Sequence, residues 1–219
     1  LVDRGHEVAV ITADAGNEGK RLELRNGVFV RRYRSIAPNG VMHLCPQVVV
    51  AVRRADADVV HAHNYHSFPL FFAAAGIGDQ RLVVTTHYHG GSANSVRNRL
   101  LSLYLPFGRW AVRRADEVIA VSEWETERLK SDFGVDATVI PNGIEVDRFT
   151  DAEPIERERP YLLTVGRLEE YKGVQYVIRS MAEIPEYDLL VAGSGPYRNE
   201  LEQIARKAGV SEQIEFLGY

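Results

Sequence analysis

The sequence predicts an α/β protein built from two doubly wound units with mostly parallel sheets, and three observations carry that expectation. Short valine- and isoleucine-rich runs alternate with helix-length segments, a charged stretch with a proline at 151–159 interrupts the series, and the alternation resumes behind it. Apolar runs without a polar face indicate strands covered on both sides by helices, the pattern of an open parallel sheet. The chain's 219 residues leave room for one large domain or two small ones.

Taken in order, Leu1-Val2-Asp3-Arg4-Gly5-His6 reads as the end of a helix, with Gly5 as its C-cap and a strand directly after it. No initiator methionine or signal peptide stands before Leu1, so a first strand and most of a first helix are expected to precede it. Strands are expected at Glu7 to Thr12, Val28 to Tyr33, Asp58 to Ala62, Leu82 to Thr86, Glu117 to Val121 and Thr138 to Ile140. Between them, helices are expected at Val48 to Arg54, Phe68 to Ala75, Val96 to Arg114 and Glu123 to Phe133. The last is opened by Ser122, with Glu125 three residues later as a capping box. Residues 1–150 form the first domain on this reading, and 151–159 have linker composition. Residues 160–219 start a second domain: strand Tyr161 to Val165, helix Val174 to Ala182, strand Asp188 to Ala192, helix Asn199 to Ala208 and strand Ile214 to Leu217. Three strands are fewer than a doubly wound domain normally has, so the second domain is expected to be incomplete.

Charge separates the two parts. Residues 1–150 carry 18 basic and 17 acidic side chains and residues 151–219 carry 8 and 13, which together give the net charge of −4. Such a balance provides no general footprint for nucleic acid. Cys45 stands alone, so no internal disulfide is possible and the cytoplasm is the expected compartment. The most apolar stretch, Pro69 to Gly78, is about half the ~20 residues needed to span a bilayer.

Ligands of open parallel sheets bind beyond the carboxyl ends of the strands, which directs attention to the residues just past each apolar run. Five of the seven histidines fall there, in His61-Ala62-His63-Asn64-Tyr65-His66 and His87-Tyr88-His89-Gly90-Gly91. His61 and His63 are two apart on a strand and so share a face. Three readings compete: a metal-free polar pocket, structural histidines and a metal site. The pocket is favoured over metal because no carboxylate joins the cluster at helical spacing. Gly90-Gly91 suggests a mobile or close-approach loop, with a simple loop as the plainer alternative.

The second unit offers Thr164-Val165-Gly166-Arg167-Leu168-Glu169-Glu170-Tyr171-Lys172-Gly173, after a strand and before a helix. Gly166 lets the backbone approach a ligand, the planar fork of Arg167 suits two phosphate oxygens, and Lys172 adds a compact charge near a positive helix end. Solvated surface cations are the competing reading. Gly193-Ser194-Gly195-Pro196 repeats the arrangement after the next strand, though Gly-x-Gly alone is a weak signal.

With these residues in view the chain resembles the retaining, nucleotide-sugar-dependent glycosyltransferases of the GT-B fold known as family 4. The likeness runs in order through Arg4-Gly5-His6-Glu7-Val8, Val59 to His63, Thr85-Thr86-His87, Ala115-Asp116 to Ser122 and Val139-Ile140-Pro141-Asn142-Gly143-Ile144 to Phe149. It continues through Val165 to Leu168 with Lys172-Gly173, Gly193 to Pro196 and Phe216-Leu217-Gly218. The resemblance implies two Rossmann-like domains facing a cleft, the second holding the sugar nucleotide and the first the acceptor. Arg167 and Lys172 match the family's diphosphate-binding pair, and His87 matches the cleft histidine near the transferred sugar. Gly166, Ser194 and Leu217 would line the nucleotide side, with His61 and His63 on the substrate side of the first domain. Implied too are a UDP or GDP sugar donor, a glycan, lipid-linked or small-molecule acceptor, retention at the anomeric carbon and no required metal or other cofactor.

The chain departs from the family pattern at both ends. The glycine-rich loop after the family's opening strand would lie before Leu1. The helix whose two glutamates contact the donor would lie after Tyr219, and Glu169 and Glu170 do not replace it. The chain alone is therefore expected to be inactive or nearly so. Two other functions stay open: a nucleotide-sugar epimerase of the same fold, and a non-catalytic sugar-nucleotide-binding subunit. Dinucleotide oxidoreduction is disfavoured by the lack of a Gly-x-Gly-x-x-Gly with a following acid.

Val96 to Arg114 carries Arg97, Arg99, Arg109, Arg113 and Arg114 among aromatic and aliphatic residues, without an acid. Such a segment could contact anionic lipid peripherally on the inner membrane face. The competing and favoured expectation is that its apolar face packs on the sheet, its arginines are solvated, and Pro106 and Gly108 break the helix.

Overall fold

A computed structural model describes residues 1–16, 21–37, 42–91, 95–151, 153 and 156–219; the side chains of 95–98, 100 and 148 lie outside the description. The chain forms two compact units, Leu1–Ile144 and Glu145–Tyr219. Of the 151–159 stretch, positions 152, 154 and 155 lie outside the described residues. Its Arg157 and Arg159 pair with Glu215 and Asp188 of the second unit, at 2.7 and 2.8 Å.

The first unit opens with a turn of 3-10 helix at Val2–Arg4, ended by Gly5 in the left-handed conformation (φ 84°), so the C-cap reading holds. Strands β1 (Val8–Asp14), β2 (Leu22–Arg25) and β3 (Val28–Arg34) follow, then helix α1 (Gln47–Arg53). Next come β4 (Val59–His63), α2 (Phe68–Gly76), β5 (Arg81–Thr85), α3 (Ser95–Arg113), β6 (Glu117–Ala120), α4 (Glu123–Phe133) and β7 (Thr138–Val139). The second unit contains α5 (Asp147–Thr150), β8 (Tyr161–Val165), α6 (Val174–Ser180), β9 (Asp188–Ala192), α7 (Arg198–Ala208) and β10 (Ile214–Gly218).

Three differences from the sequence reading have physical causes. The first unit holds two sheets among the described residues, ordered β1-β3-β2 and β4-β5-β6-β7, rather than one. Both feed one core, in which Ile11, Ala13 and Tyr33 pack with Leu82, Val84 and Ala120. The short β2 pairs antiparallel with β3 across the Asn26-Gly27 turn, and its Leu-Glu-Leu-Arg sequence is too brief to show a period. Burial on both faces holds for the inner strands β5 and β9, but the outer strands β4 and β8 leave Val59, Leu163 and Val165 exposed because they have a neighbour on one side only.

Helix α3 corrects another expectation, since it continues through Pro106 and Gly108. The glycine serves close packing: a Cβ at Gly108 would lie 2.4 Å from a carbon of the Tyr65 ring. Two arginines expected in solvent are used internally, Arg109 donating to the Asp132 carbonyl (2.6 Å) and Arg113 to that of Phe133 (2.7 Å). They satisfy carbonyls at the end of α4 that no further helical turn can reach. The opposite side leaves Leu103, Phe107 and Trp110 exposed, with Arg114 over the Trp110 ring.

Candidate functional site

The carboxyl ends of the strands carry the candidate chemistry in each unit. In the first unit, β4 places His61 and His63 on one exposed face, with ring centroids 4.2 Å apart. Parallel pairing sets β5 alongside, and a 2.8 Å hydrogen bond joins His61 Nε2 and Thr85 Oγ1. The His63 ring lies 6.0 Å from that of His87, so these three histidines form one string. His66 and His89 form a second pair, 4.1 Å apart. Desolvation, then the adjacent imidazole, pushes His61 and His63 below the usual histidine range, which favours the neutral ring that can accept a proton or a hydrogen bond.

His87 has a left-handed backbone (φ 47°), unusual for a residue with a side chain. Both its flanks are held by one carboxylate. The Thr86 hydroxyl and the Tyr88 N–H donate to Glu125 Oε1, and the Val121 N–H donates to Oε2 at 2.7 Å. Glu125 is 2% exposed. Beyond it, the Tyr88 hydroxyl donates to Asp132 (2.9 Å), which also pairs with Arg128 at 3.1 Å. Burial and this bond push the Tyr88 phenol up to about 12, so it remains a donor at neutral pH.

In the second unit, the loop after β8 holds Gly166, Arg167 and Lys172. Main-chain bonds fasten it to the loop after β9: the Gly166 N–H donates to Ala192 O (3.0 Å) and the Leu168 N–H to Ser194 O (2.9 Å). Gly193, with φ 140°, donates in turn to Gly218 O at 2.6 Å. The contact is so close that a Cβ at Gly193 would lie 1.9 Å from the Gly166 carbonyl oxygen. Leu217 falls at the register shift between Phe216 and Gly218 and is half exposed, on the same alternating face of the strand as Glu215. Ser194 is exposed just past the end of β9.

The two cations meet at one ring. Arg167 donates to the Tyr171 hydroxyl at 2.7 Å, and Lys172 Nζ lies 5.3 Å from the centroid of the same ring. Glu169 is 3.9 Å from Arg167, too far for a strong bond, so the guanidinium is 71% exposed and available. Among the described residues, no group of three histidine, cysteine or carboxylate side chains is arranged to hold a metal ion.

His61, His63 and His87 are thus brought together in the first unit. Gly166, Arg167, Lys172, Ser194 and Leu217 gather at three adjacent strand ends of the second. Two residues escaped the sequence reading. Glu125 has a local explanation as a capping-box residue, and the Ser122 side chain does accept its N–H (3.2 Å), which hides the longer-range bonds to 86 and 88. Tyr171 sits in a short 3-10 turn with no period to mark it.

Parallel sheets flanked by helices, with polar strand-end loops in both units, define the class of two-unit GT-B proteins. Solved structures agree. Sucrose-phosphate synthase from Thermosynechococcus elongatus is similar over 99% of this chain and 61% of that one, with a TM-score of 0.75 and 17% identity. HepE of Anabaena, solved in complex with UDP, has a TM-score of 0.67 and 19% identity, over 96% of this chain and 69% of its own.

Within that class, the model of Glycosyltransferase Family 4 matches residues 1–148 and that of Glycosyl transferases group 1 matches residues 145–219; the chain belongs to the family 4 glycosyltransferases. A GDP-mannose-dependent alpha-(1-6)-phosphatidylinositol monomannoside mannosyltransferase of Mycolicibacterium smegmatis is 33% identical over 64% of this chain and 39% of its own length. A glycogen synthase of Mycobacterium tuberculosis is 32% identical over 74% of this chain and 42% of its own. The chain therefore spans about two fifths of the length of these relatives.

Proposed function

We propose that the protein carrying this chain transfers a hexosyl group from a nucleoside diphosphate sugar to a glycan, lipid-linked or small-molecule acceptor with retention of configuration. The observation that carries this reading is the pairing of Arg167 and Lys172 on Tyr171, at the end of a strand in a family 4 chain. As the bond from the anomeric carbon to the diphosphate oxygen breaks, negative charge grows on the leaving group. Two preplaced cations stabilise that charge without a metal. Retention is accounted for by attack on the same face, the leaving phosphate oxygen accepting the acceptor's hydroxyl proton as the new glycosidic bond forms. His87, fixed from both sides by Glu125, is assigned to the transferred sugar, and the neutral His61 and His63 to substrate hydroxyls. Gly166, Ser194 and Leu217 are assigned to the nucleotide.

The names of the relatives support GDP or UDP as the donor nucleotide. Peripheral contact with the inner face of a cytoplasmic membrane is assigned to Leu103, Phe107 and Trp110 of α3. No helix among the described residues is long and apolar enough to cross a membrane. Because the chain spans about two fifths of the length of the mannosyltransferase and glycogen synthase it resembles, turnover is assigned to the complete protein, and the chain alone is expected to bind nucleotide with little or no transfer.

Titration with UDP and GDP tests the chain directly. Arg167→Ala and Lys172→Ala should each weaken binding about tenfold, the value of a charge-assisted hydrogen bond. In the complete protein, each should lower turnover by about 10²–10³. Unchanged sugar transfer in Arg167→Ala would sink the assignment.

A further inference from the structure

We propose that a groove on the β2–β3 ribbon, apart from the histidine string and the Arg167–Lys172 loop, binds a phosphate ester. The groove has a volume of about 480 Å³ and is lined by Arg21, Arg31, Arg32, Arg34, Tyr33 and the Gln47 amide at the start of α1. Among the described residues, no carboxylate lines it. Residues 21–34 hold five arginines and one glutamate, in a chain whose net charge is −4.

Protection of a sheet edge does not explain this placement. Charged side chains on an outer strand discourage pairing with other molecules. Arg31 and Arg32, however, lie where β3 is flanked by both β1 and β2, while Arg34 lies past the end of β2 with β1 beside it. Register makes the crowding specific: the Arg32 N–H donates to Arg21 O (2.8 Å), which sets these two arginines across from each other on one face of the ribbon, while Arg31 lies on the opposite face beside Leu22. Like charges opposed across strands are destabilising. Glu23 bonds Arg32 at 2.6 Å, and Arg31 lies 5.1 Å from the Tyr33 ring centroid. Among the described residues, no carboxylate bonds the side chains of Arg21 or Arg31. A phosphoryl group would relieve the repulsion, since its oxygens accept the paired N–H groups of a guanidinium fork better than a single point charge could.

The ester could be a free small molecule or a phospholipid headgroup. Leu22, Leu24 and Phe29 are 65, 63 and 60% exposed and share the ribbon face with Arg31. That apolar surface beside the groove makes the lipid arm worth measuring.

Glycerol 3-phosphate and vesicles of phosphatidylcholine with and without phosphatidylglycerol are the probes, read by calorimetry and co-sedimentation. Binding of the soluble ester identifies a free ligand, and binding only to the phosphatidylglycerol vesicles identifies a headgroup. In either case, Arg21→Gln with Arg31→Gln should weaken binding about tenfold or more. Arg53→Gln with Arg54→Gln removes the same charge from the exposed end of α1 and should leave it unchanged. Cooperative unfolding checks that each variant folds, and the single variants Arg21→Gln and Arg31→Gln give the same reading if the double does not. Failure of both probes to bind, or equal losses in the two double variants, overturns the proposal.

Discussion

The strand-end turns of the two units solve one problem in opposite ways. After β5, the turn bearing His87 is held by a buried side chain: Glu125 reaches from α4 and takes hydrogen bonds from both residues flanking the histidine. After β8 and β9, the turns are held by the main chain itself, with glycines so close that no side chain fits between them. A carboxylate clamp tolerates changes of shape but not the loss of its acceptor oxygens. A glycine seam tolerates changes of charge but not an added methyl. The first fixes a ring in a strained backbone; the second draws the loop that carries Arg167 and Lys172 against the next two strand ends.

The largest effect should come from breaking the clamp. Glu125→Ala orphans the Thr86, Tyr88 and Val121 donors, at a cost of about 3–5 kcal/mol to the first unit. Both tryptophans, Trp110 and Trp124, lie in that unit, so urea unfolding followed by their fluorescence isolates it. A midpoint equal to that of the unaltered chain would show that Glu125 is not the clamp.

Gly193→Ala attacks the seam instead. The new methyl meets the Gly166 carbonyl oxygen and the residue keeps φ 140°, which should cost the second unit about 2–4 kcal/mol. Hydrogen exchange in β8–β10 should accelerate while the tryptophan transition stays put. Movement of both together would mean that the two constructions are not independent.

Tyr171→Phe sharpens the contrast at smaller scale. It keeps the ring beneath Lys172 and removes the hydroxyl that accepts from Arg167. Nucleoside diphosphate binding should weaken by about fivefold, near 1 kcal/mol, with no change in unfolding. Equal affinity would separate Tyr171 from the placement of Arg167.

The smallest effect is acid sensitivity confined to the first unit. His61 and His63 titrate below 6.5 when folded, so between that depressed value and 6.5 the unfolded chain binds more protons. Their contribution is complete above about pH 6.5 and is lost as the pH falls through that window. The tryptophan-detected urea midpoint should drop between about pH 7.5 and 5.5, and His61→Asn with His63→Asn should flatten the slope. An unchanged slope would place the acid sensitivity in other groups.

Most of the architecture was legible because local pattern and fold agree. Tyr161–Val165, Asp188–Ala192 and Glu123–Phe133 fall where their apolar runs and the Ser122 cap put them. The β2 ribbon was not legible, since its four residues are stabilised by pairing with β3 rather than by any period of their own. Nor was the unbroken course of α3, where Tyr65 and Tyr104 packed against Gly108 support a helix that a proline alone would be expected to stop. Two of the arginines read as surface charge on that helix turned out to cap α4, a role fixed by tertiary contact between residues 20 and 23 positions apart in the chain.

By itself, the sequence determined the alternation of strands and helices, the family, and which residue types stand at the strand ends, because those depend on periodicity and on order along the chain. Only the tertiary structure decided which of them meet. Glu125 lies 37 to 39 residues from the turn it holds, and Arg167 and Lys172 converge on Tyr171 through the turn that folds between them. Hydrogen bonds and ring contacts act over a few ångströms, and it is packing, not spacing in sequence, that brings such groups within reach.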